Sequence, residues 1–242
     1  MNTVEITIPV LNEAHTLDRQ IRHVDAFLKE SLDHQFCISI IIGDNGSTDA
    51  TEAIGRALAS DLERVEYLQV GKRGVGLALH ASWSRSQADI IGYMDLDLAT
   101  NLRHLREALE PLAEDRADLV VGSRLLPGSK VVGRTAKRAI VSRVFNFMLK
   151  TYLGVKFSDG MCGFKFLQRT HYEKLRTLGA RSDGWFFSTE LLAGAEHLRL
   201  RLVELPVEWT DDPDTKAKIG PLAVEYIKAM RTLKAKLKSQ PT

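Results

Sequence analysis

Only two of the 242 residues are cysteine, Cys37 and Cys162. Two cysteines cannot build a disulfide framework, and neither stands in a CxxC pair, which argues against a zinc site. Cys37 lies in an apolar run and reads as a small buried hydrophobe. Long apolar stretches are also missing: none approaches the ~20 residues of a membrane-crossing helix. No basic n-region with a long apolar h-region opens the chain, since Met1 leads straight into a strand-like segment containing Glu5. The expectation is a cytoplasmic protein, free or held on a membrane from one side. The seven histidines show no HxH or HExxH spacing, against a histidine metal centre. Internal repeats and linkers are absent, so one domain is expected. Net charge is nearly absent too, at +2.

The apolar fraction of 44% and charged fraction of 26% are ordinary globular values. They exclude a largely disordered chain, and the length suffices for a core without metal or disulfide staples. The first half alternates strand and helix signals. Val4–Val10 reads as a strand, followed by apolar residues at helical spacing, Leu17, Ile21, Val24 and Leu28. Cys37–Ile42 is a continuous apolar run suited to a strand buried on both faces of a parallel sheet. Further strands are predicted at Val65–Val70, Ile90–Leu96 and Leu119–Gly122, with helices near 50–60, 77–87 and 101–113. This βαβαβ order implies an α/β fold with parallel pairing and right-handed crossovers. The second half breaks the rhythm: a loop and helix over 125–156, short strands at Met161–Leu167 and Leu200–Val207, and a last helix at Ile219–Leu237. Trp83 reads as core; Trp185 and Trp209 are open between core and pocket.

Open α/β sheets bind ligands at the carboxyl ends of their strands. Three such ends here carry acids: Glu13, Asp44 and the pair Asp95/Asp97. A carboxylate can accept ribose hydroxyls or a base N–H. Asp95-Leu96-Asp97 leaves a strand, where alternation puts both carboxylates on one face. Side-by-side carboxylates repel unless a cation sits between them, and Mg²⁺ or Mn²⁺ bridging phosphate oxygens is the usual reason. The loop Gly71–Gly76 lacks the Lys-Ser/Thr of a P-loop, which weighs against nucleoside triphosphate hydrolysis.

Taken in order, IPVLNE (8–13), GDNGSTDAT (43–51), GKRGVGLAL (71–79), MDLDLAT (94–100), VGSRLLPGS (121–129), SDGMCGFK (158–165) and WFFSTELL (185–192) resemble the family 2 glycosyltransferases of GT-A fold. The resemblance spans nearly the whole chain and points to the polyprenyl- and dolichyl-phosphate sugar synthases. It implies a Rossmann-like, mostly parallel sheet flanked by helices. It also implies a nucleotide-sugar half over 1–122, an acceptor half over 123–220 and a basic amphipathic helix over 221–242. By resemblance, Pro9, Glu13, Asp44, Asp95 and Arg73 belong to the nucleotide-sugar site, with Glu13 near the ribose and Asp44 at the base. Asp95 and Asp97 resemble the metal acids, for Mg²⁺ or Mn²⁺. Arg124, Arg138 and Ser142, with Lys216 and Lys218, resemble the grip on the acceptor phosphate; Arg138 and Ser142 are four apart and share a helix face. Asp95, Asp97, Arg124 and Asp159 are the catalytic candidates. Three departures stand out: Ala99 where some relatives have a metal-contacting glutamine, Ser188 where aspartate is usual, and no arginine before the Lys216 region.

The implied reaction is inverting displacement at the anomeric carbon by a lipid phosphate oxygen. The donor is of UDP-glucose or GDP-mannose type and the acceptor is polyprenyl phosphate. The acceptor is already an anion, so no general base is required. From 119 to 158 there are eight basic residues and no acid, interleaved with apolar residues such as Phe145, Phe147 and Tyr152. That pattern suits an interfacial element on an anionic membrane surface, on the cytoplasmic face. The last helix repeats it with Leu222, Tyr226, Met230, Leu233 and Leu237, or else packs on the domain or on a second subunit. Three rivals remain at this stage: a transferase with a hydroxyl acceptor, a sugar nucleotidyltransferase, and a non-catalytic module binding lipid or nucleic acid. Nucleic acid is not expected as a partner. Residues 119–158 carry +8, residues 216–240 carry +6, and the remainder carries −12.

Overall fold

A computed structural model describes residues 1–211 and 219–239, the backbone alone over 219–225. The first half runs β1 (Asn2–Val10), α1 (Leu17–Ser31), β2 (Phe36–Asp44), α2 (Thr51–Asp61), β3 (Val65–Gln69), α3 (Val75–Trp83), β4 (Ile90–Met94), α4 (His104–Ala113) and β5 (Leu119–Ser123). The second half runs β6 (Lys130–Val132), α5 (Ala136–Leu153), β7 (Phe164–Gln168), α6 (Tyr172–Leu178), α7 (Phe187–His197), β8 (Leu202–Pro206), β9 (Glu208–Thr210) and α8 (Ile219–Ser239). The main sheet has the order β3-β2-β1-β4-β7-β5-β8. All its pairings are parallel except those of β7, which lies antiparallel between β4 and β5. The expected α/β architecture is therefore present, with one reversed strand. That reversal places the segment before β7 on the same sheet edge as the loops after the other strands.

The apolar patterning explains the layers. Ile38, Ile40 and Ile42 of β2 and the Leu17, Ile21, Val24 and Leu28 stripe of α1 share one core with α4. On the opposite face, Trp83 of α3, Tyr93 of β4 and the buried faces of α6, α7 and α8 form a second core. A sheet covered on both faces needs strands with apolar residues on both sides, and β4 and β5 are buried throughout. Cys37 departs from expectation: it is exposed. Its register partner is Thr3, also exposed, because both sit where the sheet begins and that face has no helical cover.

Two local features escaped the sequence pattern. The three-residue strands β6 and β9 form a second small parallel sheet, joined to the loop after β4 by a bridge between Thr100 and Trp209. The α8 stripe packs on the domain: Tyr226, Met230 and Leu233 are buried, and the Tyr226 ring lies 5.1 Å from Phe145 and 5.4 Å from Phe186. Leu222 of that stripe lies outside the described side chains; the three buried residues face the domain, and among the described residues α5 keeps an exposed apolar face.

Candidate active site

The chain runs from β1 outward through β2 to β3, then returns to place β4 on the other side of β1. That reversal opens a crevice at the carboxyl ends of β1 and β4, the usual ligand position in such sheets. With strands ~4.8 Å apart, the ends of β2, β1 and β4 lie within ~10 Å of one another. Glu13, Asp44 and Asp95 are thereby gathered from distant parts of the sequence.

Hydrogen bonds stitch the first two loops together. Asn12 has φ +54°, and its side-chain oxygen accepts from the Thr48 amide at 2.8 Å. The Asn12 and Glu13 amides donate to Ser47 Oγ and Thr51 Oγ1, at 2.9 and 2.8 Å. Glu13 is half-buried, and its Oε2 accepts from Thr16 Oγ1 at 3.1 Å. Pro9 pairs with Gly43 just before the crevice. Asp44 is buried; it accepts from the Ser47 amide at 2.8 Å and from the Tyr67 hydroxyl at 2.6 Å. Burial, and then that bond, push the Tyr67 hydroxyl up from its ordinary pKa, so Tyr67 stays a proton donor. Tyr67 carries no motif in the sequence and was missed there. Gly46 has φ +84°, and a Cβ on it would stand 3.2 Å from the Gly71 backbone, so the loop with Arg73 closes against this one. Arg73 itself is exposed.

Asp95 and Asp97 sit in a tight turn after β4, where the Leu98 amide donates to the Asp95 carbonyl. The strand ends at Met94, two residues before its predicted end at Leu96, so the turn and not strand alternation places the two carboxylates. Asp97 Oδ1 accepts from the Ala99 amide at 3.0 Å. Asp95 faces inward: a Cβ on Gly163 would collide with its carboxylate. Burial, then the charge of Asp97, raises the Asp95 carboxyl well above the ordinary carboxylate range, against the pull of Lys165 and Arg124. Two carboxylates in mutual repulsion, offering hard oxygen donors, fit a divalent cation. Among the described residues no group of three His, Cys, Asp or Glu side chains converges to hold a metal, so a cation here would complete its shell with water or ligand oxygens.

Beyond Asp95 lies a cluster of guanidinium groups. Arg124 leaves the end of β5 and grips Asp159 with Nε at 2.7 Å and an Nη at 3.0 Å. Asp159 also accepts from the Arg124 and Met161 amides, so four N–H groups occupy a fully buried carboxylate. Burial alone would push this carboxyl up; Arg124 and the Met161 amide outweigh it and hold it at about 2. The Arg124 guanidinium also lies 4.8 Å above the Trp209 ring, which assigns Trp209 to the wall of this site. Arg138 pairs with Asp211 at 2.5 Å. Ser142, one turn along α5, is buried, as is Asn146, which donates to its carbonyl. Ser188 anchors the segment before β7 by donating to the Gly160 carbonyl at 3.0 Å. Lys216 and Lys218 lie outside the described residues.

Residues 5–176 match the sequence model of Glycosyl transferase family 2. Glycosyltransferase AglD of Haloferax volcanii is 33% identical over 89% of this chain and 34% of its own length. The chain thus spans about a third of that relative. Dolichyl-phosphate beta-glucosyltransferase of Drosophila melanogaster is 30% identical over 88% of this chain and 68% of its own. Polyprenol monophosphomannose synthase of Mycolicibacterium smegmatis is 28% identical, covering 85% and 77%. Among solved structures, glucosyl-3-phosphoglycerate synthase from Mycobacterium tuberculosis, in complex with Mn²⁺, UDP and phosphoglyceric acid, superposes with a TM-score of 0.68. That match covers 98% of this chain and 78% of the other at 18% identity, a likeness of fold.

Proposed function

The chain belongs to glycosyl transferase family 2, and on that basis we propose that it transfers a hexose from a nucleotide sugar to polyprenyl phosphate, with inversion. One observation carries this reading. Helix α5 starts at the arginine cluster beside Asp95 and continues as an exposed apolar face. Ile140, Val144, Phe147, Met148 and Tyr152 are all exposed, Phe147 at 67%. Their spacing of four, seven, eight and twelve residues keeps them on one side of the helix. Exposed Arg143 and Lys150 stand beside them. An anionic headgroup at the cluster and a lipid surface along the helix are served by one element. The names of the dolichyl and polyprenol relatives support the same acceptor.

In this reading Pro9, Glu13, Asp44 and Arg73 hold the nucleotide sugar. Asp95 and Asp97 hold Mg²⁺ or Mn²⁺, for which the metal complexes of the fold relatives are support. The cation supplies positive charge to the departing nucleoside diphosphate. A phosphate oxygen of the acceptor attacks the anomeric carbon; the bond from that carbon to the β-phosphate oxygen breaks, and the electron pair leaves with the diphosphate. Arg124, Arg138 and Ser142 place the attacking phosphate, and offset its charge next to a second anion. Asp159 acts by fixing Arg124, since its own oxygens are fully engaged. No side chain need remove a proton from the nucleophile. Lys216 and Lys218 are assigned to the acceptor side on the sequence resemblance alone. No helix among the described residues is long and apolar enough to cross a membrane, and the exposed face of α5 suits attachment to an anionic membrane surface from the cytoplasmic side.

The test is direct. The protein is incubated with Mg²⁺ or Mn²⁺, a polyprenyl phosphate and a panel of nucleotide sugars including UDP-glucose and GDP-mannose. A lipid-linked hexose with one donor supports the reading and identifies the sugar. Folded protein that makes no such product with any common donor contradicts it.

A further inference from the structure

The arginine cluster is not evenly neutralised. Arg124 is paired with Asp159 and Arg138 with Asp211. Lys130 of the same segment is paired with Glu208. Lys137, Arg143, Lys150 and Lys156 are exposed to water. Arg134 is different. It is half-buried, its Nε is sealed from solvent with no hydrogen-bond partner, and among the described residues no acid pairs with its guanidinium. It stands immediately before Thr135, the residue that caps α5. The charges acting on it are, in order, Arg124, Asp159, Asp211 and Arg138. Arg124 in turn lies within electrostatic reach of Asp95. Arg124 is thus felt both by Asp95 and by Arg134, a cation with no ion-pair partner among the described residues.

Withdrawing a charge from water without a partner is unfavourable. Burial, and then the like charge of Arg124, pull the Arg134 guanidinium below the ordinary arginine value. Such an arrangement persists where an anion completes it. A guanidinium offers two parallel N–H groups to a phosphate, while Arg124 already gives its matching pair to Asp159.

We propose that Arg134 is a further residue that binds the acceptor's phosphomonoester directly, in addition to Arg124, Arg138 and Ser142. The proposal deepens the functional reading given above and rests on it for the link to turnover. The anion chemistry itself does not depend on whether the phosphate belongs to a lipid or to a small molecule.

The test uses the full chain and calorimetric titration with farnesyl phosphate, farnesol, 3-phosphoglycerate and inorganic phosphate. Wild-type protein is expected to bind farnesyl phosphate at least tenfold more tightly than farnesol. Arg134→Gln should abolish that tenfold preference, and Arg134→Lys should recover part of it. The thermal midpoint should stay level or rise in Arg134→Gln, because an unpaired cation has been removed; a merely structural arginine would lower it. In turnover assays, KM for the lipid phosphate should rise at least tenfold in Arg134→Gln, with KM for the nucleotide sugar within twofold. Preference for farnesyl phosphate over the two soluble phosphates assigns the site to a lipid; the reverse assigns it to a small phosphorylated acceptor, and both support the anion site. Equal phosphate binding by wild type and Arg134→Gln overturns the proposal, as does wild type that does not distinguish farnesyl phosphate from farnesol. Failure of sugar transfer with retained Arg134-dependent phosphate binding would instead count against the functional reading alone.

Discussion

Gly163 stands where a side chain cannot. A Cβ there would meet the Asp95 carboxylate, so Gly163→Ala must displace the inner acid of the Asp95/Asp97 pair, the proposed cation ligands. Misplacement by about 1 Å at a reacting centre lowers rates by about 100-fold; turnover should fall about 10- to 100-fold while circular dichroism stays native. Tyr67→Phe removes the hydroxyl that donates to buried Asp44. With about 1 kcal/mol at stake, KM for the nucleotide sugar should rise by about fivefold, read from initial rates at saturating acceptor. Asp159 carries a prediction about acid. Its folded carboxyl is held at about 2, below its ordinary value. Its contribution is therefore complete above the ordinary carboxylate range and is lost as pH falls from about 4 to about 2, a change of about 2 kcal/mol. Asp159→Asn should remove that slope in urea titrations, and should lower stability by about 3–5 kcal/mol at neutral pH because Arg124 is left buried and unpaired. Glu13, Asp44, Asp95 and Asp97 could be read from their places at strand ends. Tyr67 and Arg134 could not: one matters through a cross-strand bond, and the other through the lack of a partner, which no spacing records.

Two helices with the same basic, apolar pattern have different fates. In α8 the stripe is buried against α5 and α7, whereas in α5 the face made by Ile140, Val144, Phe147, Met148 and Tyr152 stays exposed. Periodicity gives an amphipathic face but not what covers it, so this distinction needs the packed structure. The membrane prediction belongs to α5. Burying a Phe side chain is worth about 1.5–3 kcal/mol, so Phe147→Glu should weaken binding to anionic vesicles by at least about tenfold in a flotation assay. The same assay on wild-type protein should show binding decline as salt rises, through screening of Arg143 and Lys150. Vesicle binding unchanged in Phe147→Glu would remove α5 as the contact. The parallel first half of the sheet was legible because its strands are apolar runs separated by helical stripes. Strand β7 also reads as a strand, but its direction is set by insertion between β4 and β5, a tertiary choice with no local signal. The strands β6 and β9 are three residues each, too short to leave a period.

Across the whole molecule, the near-neutral net charge of +2 conceals a division. Acids gather at the switch point of the sheet, and an acid-free stretch from 119 to 158 supplies the arginine cluster and α5. One sheet edge therefore offers oxygen ligands for a cation on one side and guanidinium groups for an anion on the other. That arrangement suits a reaction between two anions, in which the nucleophile is charged from the start. The most direct measurement compares initial rates with a polyprenyl phosphate and with the matching polyprenol, at saturating nucleotide sugar and Mn²⁺ or Mg²⁺. The account predicts transfer to the phosphate and at least about a thousandfold slower transfer to the alcohol, which must lose a proton to react. Equal rates, or faster transfer to the alcohol, would contradict it.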